Sequence, residues 1–198
     1  TLHGRARRAL AKDLQVVFQD PYSSLNPSLT IGSILVEPLQ VQRALTKAGA
    51  LAEIRRLLDR VGLPADAAAR YPAHFSGGQR QRVAIARALS VGPKLVVCDE
   101  PTSALDVSTQ AQVLALLREL QRDSGMSYLF ITHDLAVVRH FADRVLVLRR
   151  GELVEAGPVE QVCEHPQHPY TRALVQAAPV PDPIVQRERR LARERSLA

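Results

Sequence analysis

The run Leu95-Val96-Val97-Cys98 is apolar at every position and ends in an acidic pair, Asp99-Glu100. A strand without polar alternation has to be covered on both faces, which implies a parallel sheet packed between helices. Carboxylates at the C-terminal end of such a strand stand where α/β sheets bind ligands. Seventeen residues before Asp99, a second marked segment ends: Phe75-Ser76-Gly77-Gly78-Gln79-Arg80-Gln81-Arg82. Ser76, Gly77 and Gly78 form a turn with bare N–H groups, and Val83, Ala86 and Leu89 follow at roughly helical spacing. A turn of this kind at a helix N-terminus can hold an anion, because its unpaired N–H groups and the helix dipole point the same way. One element suits phosphate and the other suits a metal ion and a water. Together they point to nucleotide hydrolysis.

The rest of the chain supports an α/β reading. A short apolar strand over 14–18 leads into a loop over 19–27 rich in Pro, Ser and Asn. Residues 30–45 and 48–61 read as two helices, the second with an apolar stripe of Leu51, Ile54, Leu57, Leu58 and Val61. Beyond the acidic pair, a helix over 107–122 carries the stripe Val113, Leu116, Leu117 and Leu120. A strand over 128–131, a short helix over 134–141 and a strand over 145–148 follow. Arg149-Arg150-Gly151-Glu152 reads as a turn into a further short strand. His165 and His168 lie in a Pro-rich stretch that reads as a rigid loop, not a metal site, before a last helix through Ala177.

Composition limits the partners. The chain has 198 residues, 46% hydrophobic and 4% aromatic with no Trp, enough for one domain whose core is mostly Leu, Val, Ile and Ala. No run of about 18 apolar residues is present, so no segment reads as a membrane-spanning helix. Two cysteines far apart do not make a disulfide framework, and a reducing, cytoplasmic setting is expected. Net charge is +6, and residues 186–195 contribute five Arg against two Glu, half of that excess. Such a tail fits nucleic acid or an acidic membrane surface, and it equally fits a solvated charged end. The chain opens on Thr1, and the N-terminal part of a longer protein is expected to precede it.

Each candidate residue has a functional and a plain reading. Gln19, just after the first strand, can hold a metal or an attacking water, or can cap a turn. The Ser-Gly-Gly-Gln turn, Ser76 to Gln79, can bind phosphate or can be an ordinary N-cap. Asp99 suits a site beside Mg2+ and Glu100 suits a general base on the attacking water; alternatively both acids pair with Arg. His133, which follows the apolar strand and Thr132, can contact a transferring phosphoryl group or can serve as a structural hydrogen-bonder.

The order Gln19, Ser76-Gly77-Gly78-Gln79, Asp99-Glu100, Ser103-Ala104-Leu105-Asp106, His133 resembles the nucleotide-binding subunit of an ATP-binding-cassette transporter over nearly the whole chain. Phe75 to Gln79 is similar to the family signature, with Phe where Leu is commoner. Leu95 to Glu100 is similar to its Walker B strand, Ser103 to Asp106 to its D-loop, Gln19 to its Q-loop and His133 to its switch histidine. Phe18-Gln19-Asp20-Pro21-Tyr22-Ser23-Ser24-Leu25-Asn26-Pro27 and His168-Pro169-Tyr170-Thr171-Arg172-Ala173-Leu174 resemble the dipeptide and oligopeptide importer branch.

The resemblance implies an incomplete P-loop-NTPase-like parallel sheet flanked by helices, with an inserted helical subdomain and a C-terminal extension. On that basis the chain divides into 1–27 (end of an N-terminal lobe and Q-loop), 28–92 (helical subdomain), 93–157 (ATPase core) and 158–198 (C-terminal extension). The ligands implied are ATP, met by Ser76, Gly77, Gly78, Gln79 and Asp106, and Mg2+, met by Asp99 and Gln19. Glu100, His133 and Gln19 would be catalytic. The partners implied are a second nucleotide-binding subunit, integral membrane permease subunits and, indirectly, an extracytoplasmic solute-binding protein. The location implied is the cytoplasmic face of a prokaryotic inner membrane, and nucleic acid is not expected. No Walker A loop, G-x-x-x-x-G-K-[ST], occurs in the sequence. The chain is therefore expected to be inactive alone, and its signature turn is expected to serve an ATP held by a partner. The alternatives are a non-transport cassette ATPase acting on nucleic acid and a non-catalytic remnant that completes a partner's site.

Overall fold

The computed structural model describes residues 4–178. They belong to two compact units, Thr1–Ile131 and Thr132–Ala198. This division falls inside the stretch 93–157 that the sequence groups as one ATPase core. The basic run 186–195 and the end of the C-terminal extension lie outside the described residues.

In the first unit, helix α1 (Arg5–Asp13), which the sequence pattern does not announce, runs directly into strand β1 (Leu14–Val17). β1 pairs in parallel with β2 (Leu95–Asp99), and β2 pairs in parallel with β3 (Ser127–Ile131), so the acid-tipped strand is central. Val96 and Cys98 of β2 are buried, as an apolar strand between layers requires.

The segment between β1 and β2 is helical. A single turn, α2 (Pro21–Ser24), forms where a loop is expected from composition. Asp20 caps it by accepting the Tyr22 N–H at 2.8 Å, and Pro21 fills a first-turn position where no N–H is needed. Helix α3 (Ile31–Arg43) starts at Thr30, whose side chain accepts from the Ser33 N–H, and it continues through Pro38. Helix α4 (Lys47–Arg60) is capped in the same way by Thr46. Its core stripe is Ala50, Ile54, Leu57, Leu58 and Val61, all buried, and burying each of its Leu and Ile side chains contributes about 1.5–3 kcal/mol. Leu51, which the sequence stripe includes, is 53% exposed. It lies one position, about 100° of helical rotation, away from Ala50, which takes the inward place. Two short 3₁₀ turns, Ala65–Ala69 and Pro72–His74, lead to helix α5 (Gly77–Leu89), which buries Val83, Ala84, Ile85, Ala86 and Ala88. Helix α6 (Val107–Ser124) buries Val113, Leu116, Leu117 and Leu120, the expected stripe.

The second unit holds helix α7 (Leu135–Phe141) and an antiparallel hairpin of β4 (Arg144–Arg149) and β5 (Glu152–Pro158). Arg150 and Gly151 both have positive φ, 53° and 84°, which gives the two-residue turn expected from the sequence a twist that suits a hairpin. Helices α8 (Val159–Glu164) and α9 (Pro169–Ala177) complete it. His165 and His168 sit in the loop between them. The Glu155 carboxylate accepts the N–H groups of Gln167 and His168 at 2.8 and 3.0 Å, and His168 Nδ1 accepts the Tyr170 N–H. His168 therefore caps α9, which agrees with the reading of this stretch as a rigid loop.

Candidate functional site

The parallel register aligns Val17 with Cys98, so two residues further on Gln19 and Glu100 come level at the C-terminal edge of the sheet. Their side chains meet there: Gln19 Nε2 donates to Glu100 Oε2 at 2.9 Å. Asp99 is the last residue of β2 and stands opposite Ile131. Glu100 has φ 43°, left-handed backbone that a residue with a side chain enters at a cost of about 1–2 kcal/mol. The surroundings hold it there. Its N–H donates to the Ile131 carbonyl at 3.0 Å, and its own carbonyl accepts the Ser103 N–H at 3.2 Å and the Ser103 hydroxyl at 3.0 Å. Three hydrogen bonds to its backbone thus maintain the strain, and strained positions of this kind cluster at functional sites.

The Ser-Gly-Gly-Gln turn opens α5 as a complete capping box. Ser76 Oγ accepts the Gln79 N–H at 3.3 Å, and Gln79 Oε1 accepts the Ser76 N–H at 3.0 Å. The plain N-cap role is therefore filled by Ser76 and Gln79. The amides of Gly77 and Gly78 lie in the first helical turn, where no intrahelical acceptor exists. Phe75 anchors the turn from behind: it is buried, with the Arg70 guanidinium 4.5 Å from its ring centroid.

Asp106 is the N-cap of α6. Its carboxylate accepts the Ser108 hydroxyl at 2.6 Å, the Thr109 N–H at 3.0 Å and the Thr109 hydroxyl at 2.7 Å. These bonds, with Ser108 the strongest contributor, hold it well below the usual carboxylate range.

Gly77 and Gly78 both rest on the turn that Asp106 caps. A Cβ on Gly77 would lie 3.5 Å from Leu105 Cδ2, and one on Gly78 would lie 2.3 Å from Thr109 Cγ2. The structure thus brings Gln19 to Glu100, and the 76–79 turn to the segment around Asp106. His133 belongs to the second unit, two residues along the chain from Ile131.

Sequence reasoning missed Thr109, Tyr22 and Arg80, which shape the turn. The signal for Thr109 was faint: it falls three residues after the acidic cap, where a capping side chain finds its partner.

The donor chemistry suits a hard divalent cation in part. With Gln19 Nε2 directed at Glu100, Gln19 Oε1 is not used in that bond, and Asp99 is the residue before Glu100 at the same strand end. Mg2+ is commonly held by one or two protein oxygens, with phosphates and waters completing six. Among the described residues no group of three or more His, Cys, Asp or Glu could hold a metal alone.

A parallel sheet between helices, with carboxylates at the C-terminal edge of its central strand, defines an α/β domain of the class that binds ligands at that edge. More specifically, the chain belongs to the ABC transporter family, whose model, described as "ABC transporter", matches residues 1–103. A second family model, "Oligopeptide/dipeptide transporter, C-terminal region", matches residues 154–197.

Among curated relatives, the "Glutathione import ATP-binding protein GsiA" of Escherichia coli (strain K12) is 52% identical over 96% of this chain and 31% of its own length. The "Putative peptide import ATP-binding protein BOV_A0347" of Brucella ovis is 52% identical over 98% of this chain and 61% of its own length. The chain thus spans between about a third and three-fifths of the relatives it matches. Two solved structures share the fold. CbiO1 from Clostridium perfringens, described as part of the ABC transporter complex cbiONQ, matches with TM-score 0.73 and 26% identity over 82% of this chain and 64% of that one. The ATP-binding cassette MJ0796, solved as a dimer bound to ADP and Pi, matches with TM-score 0.68 and 31% identity over 78% and 66%.

Proposed function

We propose that this chain is the catalytic-edge and signature half of an ATPase that energises import of dipeptides, oligopeptides or related small solutes. The observation that carries the proposal is Glu100: a carboxylate held in strained backbone at the C-terminal edge of a central parallel strand, with Gln19 bonded to it. Glu100 would polarise the attacking water, and Gln19 would fix the carboxylate's orientation. Asp99 and the Gln19 carbonyl oxygen would hold Mg2+, which supplies charge neutralisation at the phosphate oxygens. His133 would contact the transferring phosphoryl group.

The amides of the 76–79 turn would meet a nucleotide bound to a second ATPase subunit, with Asp106 keeping the adjoining turn in place. That division of labour requires a pair of nucleotide-binding subunits. The import reading adds permease subunits, an extracytoplasmic solute-binding protein and a position at the inner face of the cell membrane. No helix among the described residues is long and apolar enough to cross a membrane. A cleft of about 430 Å³ lined by Ser24, Asn26, Leu29, Val41, Arg87 and neighbouring residues offers a seat for a permease segment, beside the 19–27 loop. The names of the relatives point to peptide-like cargo, and none of them favours nucleic acid.

The test joins a relative's Walker A segment ahead of Thr1. The joined protein is expected to turn over ATP in the presence of Mg2+. Glu100→Gln should lower turnover by at least about 100-fold while nucleotide binding persists, the range expected for loss of a general base. Normal turnover in that variant would overturn the assignment. The 198-residue chain alone is expected to show no turnover above background.

A further inference from the structure

Helix α5 carries two arginines seven residues apart, and both reach the one-turn helix α2. The Arg80 guanidinium lies 4.0 Å from the centroid of the Tyr22 ring. The Arg87 Nη1 donates to the Ser24 carbonyl at 2.6 Å. Positions seven apart on a helix share a face, so the two contacts lie along one line. Arg80 is itself fixed to the start of α5, since its Nε donates to the Phe75 carbonyl at 3.0 Å. Tyr22 is fixed at its own backbone by Asp20. The Tyr22 hydroxyl also comes within 4.0 Å of where a Cβ on Gly77 would stand. Three residues before Tyr22, Gln19 is bonded to Glu100. Tyr22 therefore stands between the catalytic edge and the signature turn: one end of its segment is tied to Glu100, the other to α5.

We propose that Tyr22 and Arg80 are positioning residues that form a latch, through which the Gln19–Glu100 bond sets the seat of the 76–79 turn. The functional meaning of the latch rests on the ATPase reading above, in which the acidic edge and the signature turn serve two different nucleotides. On that reading the latch links the two sites within one subunit. When Gln19 leaves Glu100, α2 is released at one end and stays clamped to α5 at the other. The first turn of α5 then loses a support. A cation stacked on an aromatic ring in a half-wet setting is directional yet weak, which suits a contact that must be made and broken in each cycle.

Amide hydrogen exchange on the full chain, with no nucleotide added, tests the latch independently of catalysis. The read-out is exchange of the Arg80, Gln81 and Arg82 amides, which report opening of the first turns of α5. Gln19→Ala is expected to raise their exchange about two- to fourfold. Tyr22→Leu should raise it by a similar factor, and Tyr22→Phe should restore the original rate because the ring remains. The deciding measurement is the double variant. In the Tyr22→Leu background, Gln19→Ala should add nothing, because the link is already cut. Arg80→Gln serves as a second way to cut it. Multiplying effects in the double variant, or no response of α5 to Gln19→Ala, would overturn the proposal. A merely structural Tyr22 gives the multiplying result. Failure of the ATPase reading would appear separately, as unchanged turnover on Glu100→Gln in the joined protein.

Discussion

Gly78→Ala sets helix propensity against packing, and the structure decides between them. Alanine is favoured over glycine in a helix by up to about 1 kcal/mol, so local propensity predicts a gain. The added Cβ would stand 2.3 Å from Thr109 Cγ2, more than an ångström inside the ~3.5 Å at which carbon atoms touch. Thr109 cannot turn aside freely, because its hydroxyl is committed to Asp106 Oδ2 at 2.7 Å. Overpacking of this kind costs about 1–3 kcal/mol, so after the propensity gain the net effect is a loss of up to about 2 kcal/mol. Gly77→Ala is the control: its Cβ would meet Leu105 Cδ2 at an ordinary 3.5 Å, and it should be neutral or stabilising by up to about 1 kcal/mol.

Thr109→Ser removes the obstructing methyl. With it gone, the nearest side-chain atom to the Gly78 Cβ position is the Thr109 Cβ at 3.7 Å, an ordinary contact. In that background Gly78→Ala should therefore become neutral or stabilising, a coupling of about 2 kcal/mol, within the range found for residues in contact. Urea denaturation followed by far-UV circular dichroism gives the stabilities. Amide exchange within α5 gives the local value, because a chain of two compact units need not unfold in one step. A stabilising Gly78→Ala, or the same loss in the Thr109→Ser background, would refute the argument.

Other outcomes follow from single groups. At Glu100 the backbone φ of 43° favours glycine, so Glu100→Gly should be about 1 kcal/mol more stable than Glu100→Ala, and equal unfolding midpoints would show that the position is unstrained. The Arg56 hydrogen bond, joined by Arg43, holds Glu53 below its ordinary pKa, and the Gln167 N–H does the same for Glu155. A carboxylate that binds its proton less readily in the native state contributes stability above its unfolded pKa, and that contribution is lost as pH falls. Urea midpoints should thus be flat from neutral pH to about 5 and decline below about 4.5, and a rise on acidification would contradict the assignment. Cys98 is fully buried with its thiol pushed up to about 12, and Cys163 is buried with its thiol raised in the same direction. Neither should react with a thiol reagent at pH 8 until urea is added, and rapid native labelling would show that the core opens.

The central strand, the α6 stripe and the helix after the Ser-Gly-Gly turn were legible because each is a long apolar pattern whose period matches one kind of element. The strand ends were legible to within a residue or so for the same reason. Leu51 was misread because a leucine one position off the stripe is as apolar as one on it, and only packing distinguishes Ala50 as the inward residue. The turn α2 stayed hidden: four residues carry no period, and what forms them is a single Asp20 cap with Pro21 behind it. Gln19 and Glu100 could be named from their places after strands. Their bond could not, since it depends on the parallel register that levels them. Thr109 was invisible as a site residue for a different reason. Its importance lies in a methyl group against a missing side chain, a contact between two residues 31 positions apart that no local pattern records.

The apolar strands also carry a consequence for the isolated chain. A parallel sheet is stable when both faces are covered, yet Leu129 and Ile131 of β3 are each 46% exposed. On the hairpin, Leu148 and Leu153 face each other in register, and these two and Leu146 are all about 60% exposed. Apolar groups gathered in this way, on strands that pair on one side only among the described residues, bind other apolar matter or other strands. The 198-residue chain should therefore enhance the fluorescence of an apolar dye such as ANS and associate as its concentration rises. Leu148→Lys and Ile131→Lys, one in each unit, should each reduce both signals, because a charge on the exposed face costs little in the monomer and much in a contact. A monodisperse monomer that leaves the dye dark would mean that these leucines and isoleucines are shielded from solvent, and the open-edge description of both sheets would then be wrong.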